Sequence, residues 1–441
     1  MGNIVLCPIE EHSRLSEADV KGLESIIRRR AADPQDFMGV PEYLGMYWDN
    51  GELWSSYYVG AVWLKPDELA AVVKPKIKGL DFLRMFAEAL KVRSANEGDY
   101  FSLCYGIDFE QPEIEVDSSV NILTPLLIVH FLSLVGRILH RGLKKGYVQV
   151  EKNLHLKVKG RILVSRNIKA NSLRKRDDHA YCSYQEYTED IIENRLLKKA
   201  LCFSRAAIAM MYSDNPQMKE ITARIDSYLQ FFRGVSDDVQ IYEMRTASIN
   251  KLYADYSLAL RVAKQLLRRY GYSISNISAS RSVKTPPFWI DMPRLFELYA
   301  FGQLSSNFPG SILFQVKGYG SSAVDFLKTD EHVVIDAKYK PAYRYGGKDL
   351  LADIREISGY SRDCRILKKL YGNGYDISSV MPDCVILYPD PEGLIDPARP
   401  LAEQYRNNPI DGFTRFYKLG IALPVISGNS TDSYATEWEQ L

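Results

Sequence analysis

The rhythm of apolar and polar positions changes along the chain and divides it into three regions. Up to about residue 115 the apolar residues come in short runs. Segments 57–64 and 70–73 read as strands joined by a turn at Lys65-Pro66-Asp67, and a helix is expected over 80–91. From 118 to about 270 the apolar spacing becomes helical, with helices expected over 118–141, 191–211 and 248–270. Segment 273–287 is polar, ends in Pro286-Pro287 and reads as a linker or long loop. Beyond it strands and helices alternate. A helix over 292–305 has Asp291 as its N-cap and Pro293 in its first turn. Strand 311–316, two strands at 323–327 and 332–338, helix 350–370 and strand 384–388 follow. The expected fold class is an α/β C-terminal domain over 286–441, with a mostly β N-terminal domain (1–115) and a helix-rich middle region (116–285) before it.

Segment 122–139 is apolar enough to raise the question of a membrane. It contains Pro125, His130, Ser133 and Arg137, and Asp117-Ser118-Ser119 and Gly142 supply helix start and stop signals. A buried helix is expected, and no membrane association.

The candidate chemistry lies in the paired strands. Lys328-Thr329-Asp330-Glu331 is a polar turn between them. With Thr329-Asp330 at its tip, Asp325 faces Val334 and lies diagonal to Asp336, roughly 7–8 Å away across the backbones. Asp336 and Lys338, two apart on one strand, project to the same side. Two carboxylates and an amine there suit a divalent metal and the hydrolysis of a phosphodiester. Mg²⁺ binds through one or two carboxylates plus substrate phosphate, and a lysine offsets developing charge. A surface ion pair is the plainer reading of so short a pattern. Against it, Val333-Val334-Ile335 reads as a buried run, at whose end an aspartate is costly without a partner or a task. Glu297 lies off the apolar stripe Leu295, Leu298, Tyr299 and could lean toward the same metal. Glu356 and Tyr360, four apart, share a helix face.

Composition adds one feature. Lys+Arg of 56 against Asp+Glu of 55 leaves a net charge of +1, so any surface for nucleic acid is local. Between Arg137 and Arg176 stand thirteen Lys/Arg against one acid, Glu151. Such a density suits phosphate backbones, and Arg174, Lys175 and Arg176 are its candidate DNA contacts. The alternative is a solvated face balanced by Glu186, Glu189, Asp190 and Glu193. Six cysteines without a C-x-x-C pair argue against a zinc site or a disulfide framework, and no charged-then-apolar leader opens the sequence. A cytoplasmic protein is expected.

Asp325, Asp336 and Lys338, preceded by a helix carrying Glu297, resemble the PD-(D/E)xK nuclease superfamily. Within it the chain resembles the McrC family, nuclease subunits of McrBC-type modification-dependent restriction systems. Asp291-Met292-Pro293-Arg294-Leu295-Phe296-Glu297 is similar to that family's "DM..LFE" helix. Val158-Lys159-Gly160-Arg161-Ile162, the Tyr184–Asp190 stretch and Asn194-Arg195-Leu196-Leu197-Lys198 resemble its "L.GR… Y.E.T.D…N.LLK" segment. Tyr58-Val59-Gly60 and Lys74-Pro75-Lys76-Ile77 resemble its "G…PKI" strands. The resemblance implies a restriction-endonuclease-like C-terminal domain. Asp325, Asp336 and Glu297 would be metal ligands for Mg²⁺, or Mn²⁺, and Lys338 the charge-stabilising or water-orienting group. Val324 departs from the motif's proline. Glu356 stands where a glutamine is expected in a "Q…Y" helix ending at Tyr360, and joins the catalytic set as a candidate. The implied partners are modified double-stranded DNA and a McrB-like AAA+ GTPase ring, docked by the N-terminal region. No G-x-x-x-x-G-K-[ST] occurs, so no nucleotide is expected on this chain itself. An inactive regulatory or scaffold subunit and a stand-alone structure-specific nuclease stay open as other readings.

Overall fold

A computed structural model describes residues 5–16, 42–91, 100–117, 122–211, 218–238, 254–269, 282–320, 322–340, 343, 350–372, 375–376 and 378–425. Two compact units emerge. One joins residues 1–126 to 281–441; the other is 127–280. The first and last regions expected from the sequence therefore fold as one body.

The first unit opens with β1 (Val5–Glu10), the hairpin β2 (Tyr47–Asp49) and β3 (Glu52–Trp54), then β4 (Tyr58–Lys65) and β5 (Leu69–Lys74). The turn expected at Lys65-Pro66-Asp67 is present, with Asp67 at φ 58. Helix α1 (Phe82–Lys91), β6 (Tyr105–Ile107) and β7 (Ile114–Asp117) follow. Strand β1 runs parallel to β5, and β5 antiparallel to β4, over a core of Ile9, Leu44, Val62 and Val73. The place between β4 and β6 is filled from far along the chain, by Phe288–Asp291. Gly60 explains the close fit. Its φ is +152, and a Cβ there would lie 2.1 Å from the Phe288 carbonyl oxygen.

Helix α2 (Leu123–Arg141) begins in the first unit and from Leu127 belongs to the second. Leu127, Ile128, Phe131, Leu134 and Val135 are fully enclosed, as expected of a core helix. Next comes a sheet, in a stretch of the helix-rich region for which the sequence names no element. Strands β8 (Gly146–His155), β9 (Arg161–Ile162) and β10 (His179–Thr188) run in the order β8-β10-β9. Short helix α3 (Val164–Ala170), between β9 and β10, buries no residue. The signal was weak because these strands are polar on both faces: only Leu154 and Cys182 are buried in β8 and β10. The unit closes with α4 (Ile192–Met211), α5 (Met218–Phe231) and α6 (Ala254–Arg269).

Back in the first unit, part of the expected linker is strand β11 (Ser282–Thr285), paired with β7. Phe288–Asp291 is β12, so the start of the expected C-terminal region belongs to the N-terminal sheet. Asp291 ends β12 and caps α7 (Met292–Asn307), its carboxylate accepting from the Arg294 backbone N–H. A five-stranded sheet follows, ordered β13-β14-β15-β16-β17: β13 (Ile312–Lys317), β14 (Ala323–Lys328), β15 (Val333–Ala337), β16 (Asp383–Pro389) and β17 (Phe416–Ile421). The expected helix 350–370 is two, α8 (Leu350–Tyr360) and α9 (Cys364–Tyr371). Asp363 between them caps the second. Helix α10 (Leu401–Tyr405) precedes β17. Phe301 of α7 packs on Phe314 and Phe326, while Ile357, Ile366 and Leu370 pack around Leu327 and Val334. Adjacent residues of a strand point to opposite faces, so helices cover the β14–β15 hairpin on both sides.

Asp383, buried at the start of β16, anchors this end of the sheet. It accepts from the Tyr405 hydroxyl at 2.8 Å and from Arg406 and Arg415 at 2.9 and 2.7 Å. Burial alone would raise its pKa; those bonds hold it below the usual carboxylate range. Asp383→Ala strips the buried Tyr405 hydroxyl of its acceptor and is expected to cost about 1–3 kcal/mol in urea unfolding. A loss below about 0.5 kcal/mol, the range of ordinary surface changes, would contradict this role.

Candidate functional site

The site grows out of the β14–β15 hairpin, whose register differs from the expected one. Phe326 pairs with Ile335 and Lys328 with Val333, so the next rung sets Asp325 directly against Asp336. The two-residue shift comes from a four-residue loop, 329–332, in which His332 takes φ 55. Buried Lys328 holds the loop through Asp330 at 2.8 Å and Glu331 at 3.1 Å. Directly opposed side chains sit closer than diagonal ones, so the shift tightens the cluster.

Asp325 is fixed from two sides. One oxygen accepts from the Ala337 backbone N–H at 2.8 Å, the other from the Gln315 side-chain amide at 3.2 Å. The same amide donates to Glu297, which brings the α7 carboxylate into the group. Gln315 was not foreseen. On β13 it occupies the place facing Asp325, at φ 48, where the ladder skips a pair. A lone polar residue in the apolar run of β13 was the only signal.

Lys338 lies 2.8 Å from Asp336 and donates to Glu356, also at 2.8 Å. Glu356 in turn accepts from the Tyr360 hydroxyl at 3.1 Å. Glu356 and Tyr360 are thus both a helical pair and part of the site's rim. The Lys338 backbone N–H donates to the Leu387 carbonyl at 2.8 Å, tying the strand end to β16.

Burial dominates the electrostatics. It pushes Glu297 up to about 7, and Asp325 also to about 7 with the Glu297 charge adding to it. Asp336 is raised well above its ordinary value by burial and then by Asp325. Burial opposes the charge on Lys338, but Asp336 outweighs it and raises the pKa. Glu356, although partly buried, is lowered by its bond to Lys338. Three crowded carboxyls that resist ionisation are a hard oxygen donor set, and a divalent cation is what would let all three ionise together. The residues therefore fit Mg²⁺ or Mn²⁺.

The basic segment is divided. Arg137 and Arg141 pair with Asp255, Lys144 with Glu193, Lys145 with Glu189, Lys159 with Glu186 and Arg166 with Glu151. Balance in space thus accounts for six of the thirteen. Among the described residues, Lys152, Lys157, Arg161, Lys169, Arg174, Lys175 and Arg176 have no acidic partner, and the last three are exposed.

Three residues of the family-like motifs in the second unit hold its structure. Asn194 donates to the carbonyls of Lys144 and Glu189 and accepts from Tyr256, while Asp190 grips Arg195 through two bonds of 2.7 Å. Gly160, at φ +67, leaves no room for a Cβ against the Ser183 carbonyl at 2.5 Å.

A family model described as McrBC 5-methylcytosine restriction system component matches residues 57–353, 297 of the chain's 441. The span takes in Glu297, Asp325, Asp336 and Lys338 and stops short of Glu356. A search of curated proteins found no match. Among solved structures, the chain is similar to a half-complex from a tetradecameric assembly of Thermococcus gammatolerans McrB AAA+ hexamers with bound McrC. The identity is 16%, 99% of each chain is covered, and the TM-score is 0.39. The Thermococcus gammatolerans McrBC complex matches at 14% identity, over 69% of this chain and 88% of that one, with a TM-score of 0.30.

The carboxyl cluster makes stability depend on pH. Asp325 and Glu297 keep protons to about 7 when folded but lose them near 4 when unfolded. Between those values the metal-free folded state binds more protons, so stability falls as pH rises and levels off above about 7. Mg²⁺ is expected to raise the Tm more at about pH 8 than at about pH 5.5, with most of that gain absent in Asp336→Asn. An equal shift at both pH values, unchanged in the variant, would mean that the cation binds elsewhere.

Proposed function

Because the chain belongs to the McrBC 5-methylcytosine restriction system component family, we propose that it is the metal-dependent endonuclease subunit of such a system, cutting modified double-stranded DNA. The observation that carries this reading is half-buried Asp325 set against buried Asp336, with Lys338 beside them. The five-stranded sheet and its helices are read as a restriction-endonuclease-like domain. Asp325, Asp336 and Glu297 would hold Mg²⁺ or Mn²⁺. When bound, the ion polarises a phosphate oxygen and lowers the pKa of a bound water.

The chain's own residues do the rest. Ala337 N–H and Gln315 fix the Asp325 carboxylate so that it need not reorient during the reaction. Asp336 keeps Lys338 protonated, which supplies a fixed positive charge against the charge that develops on the phosphate. Glu356 is a positioning residue: with Tyr360 it holds the lysine ammonium at the rim. A glutamate, unlike the expected glutamine, can also accept that ammonium as an ion pair.

No nucleotide-binding loop occurs in this sequence, and NTP hydrolysis would fall to an AAA+ GTPase partner. The unpaired Lys and Arg of the β8–β10 region would contact DNA backbone without reading sequence.

Lys338→Ala and Asp336→Asn should each lower cleavage by the reconstituted complex at least about 10²–10³-fold, and Glu356→Gln by less. Near wild-type cutting by either of the first two would sink the assignment. Neutralising Arg174, Lys175 and Arg176 should reduce the salt dependence of DNA binding by about one logarithmic unit of slope per lost phosphate contact. An unchanged slope would leave those residues a solvated face.

A further inference from the structure

The second unit carries a metal-ligand cluster distinct from the carboxyl site. His155 ends β8 and His179 begins β10, and the two are cross-strand partners whose rings lie 4.8 Å apart. Asp178 bridges them. One of its oxygens is 2.9 Å from His155 Nε2 and the other 2.8 Å from His179 Nδ1. One donor atom from each residue lies within 4.8 Å of the others. Around a tetrahedral Zn²⁺, with bonds of about 2.0–2.1 Å, donors sit roughly 3.4 Å apart, so small side-chain rotations suffice.

The place of the cluster gives such an ion a task. The chain between His155 and His179 holds β9 and α3 and has almost no apolar core. What it buries is polar: Asn171 exchanges bonds of 2.8 Å with Asn153 and donates to Asn167 at 2.7 Å. Leu156, Val158, Val164, Ile168 and Leu173 are all exposed. One backbone bond crosses its neck, Leu156 N–H to the Asp178 carbonyl, and His179 N–H closes a local turn on the Arg176 carbonyl. A small element without a core is the kind that a metal staples.

We propose that His155, His179 and Asp178 bind a borderline divalent cation of the Zn²⁺ type, which clasps the neck of this arm. Each imidazole ligates as the neutral ring, its proton on the far nitrogen, and water completes the shell. Imidazole selects against Mg²⁺, so the two metal sites of the chain differ in kind. The clasp also fixes the turn that presents Arg174, Lys175 and Arg176.

The test uses the full chain, loaded with Zn²⁺ in excess Mg²⁺, dialysed and assayed for bound zinc. One equivalent should be retained by the wild type and by Asp336→Asn, and bound at least about 10-fold more weakly by His155→Ala/His179→Ala. Zn²⁺ should also slow protease cleavage within residues 156–178 in the wild type and leave the double variant unprotected. Asp178→Asn provides a second readout should the double variant not fold. The proposal is overturned if no zinc is retained beside Mg²⁺, or if the histidine and Asp178 variants retain as much as the wild type.

Discussion

Like charge kept out of water governs the first unit. Asp325, Asp336 and Glu297 meet where burial disfavours ionisation of each, and every neighbour answers that problem. Gln315 spends its amide on two of them, a backbone N–H is diverted from the ladder to Asp325, and Lys338 sits against Asp336. None of these contacts is strong alone. Together they hold a geometry that mutual repulsion would otherwise disperse.

What could be read from the sequence follows from the range of the interactions involved. Asp336 and Lys338 share a side because strand alternation is local, and the Asp291 cap needs only the next three residues. The register of Asp325 against Asp336 turns on the length of the loop 329–332, which the polar pattern of the turn does not specify. Gln315 is marked in the sequence only as a polar residue within an apolar strand, and its partners Asp325 and Glu297 are set by the fold. The break at Asp363 hid in a continuous helical pattern, and the sheet of the second unit in strands with little apolar content. Charge counting found the basic segment but not which of its members are already paired: Arg137 and Arg141 meet Asp255 more than a hundred residues away.

The two units solve opposite problems. In the first, apolar packing on both faces of a hairpin creates the low-dielectric setting that gives its carboxylates unusual chemistry. In the second, the β8–β10 arm exposes apolar and basic groups and is organised by asparagines and a histidine-aspartate bridge. A polar interior gives geometry with little cohesion, which suits an element whose contacts are completed by something outside it.

Strand β12 has a consequence for how the chain must come together. It lies between β4 and β6, yet it is synthesised only after the whole second unit. Until residue 291 leaves the ribosome, β4 and β6 have an open edge each and the sheet has a gap. Such long-range closure is slow, and the waiting edges are open to mispairing. The segment that fills the gap is also the cap of the helix carrying Glu297. Completion of the first sheet and delivery of that carboxylate are therefore one late event in biosynthesis, so an unfinished chain cannot have its full set of acidic groups in place.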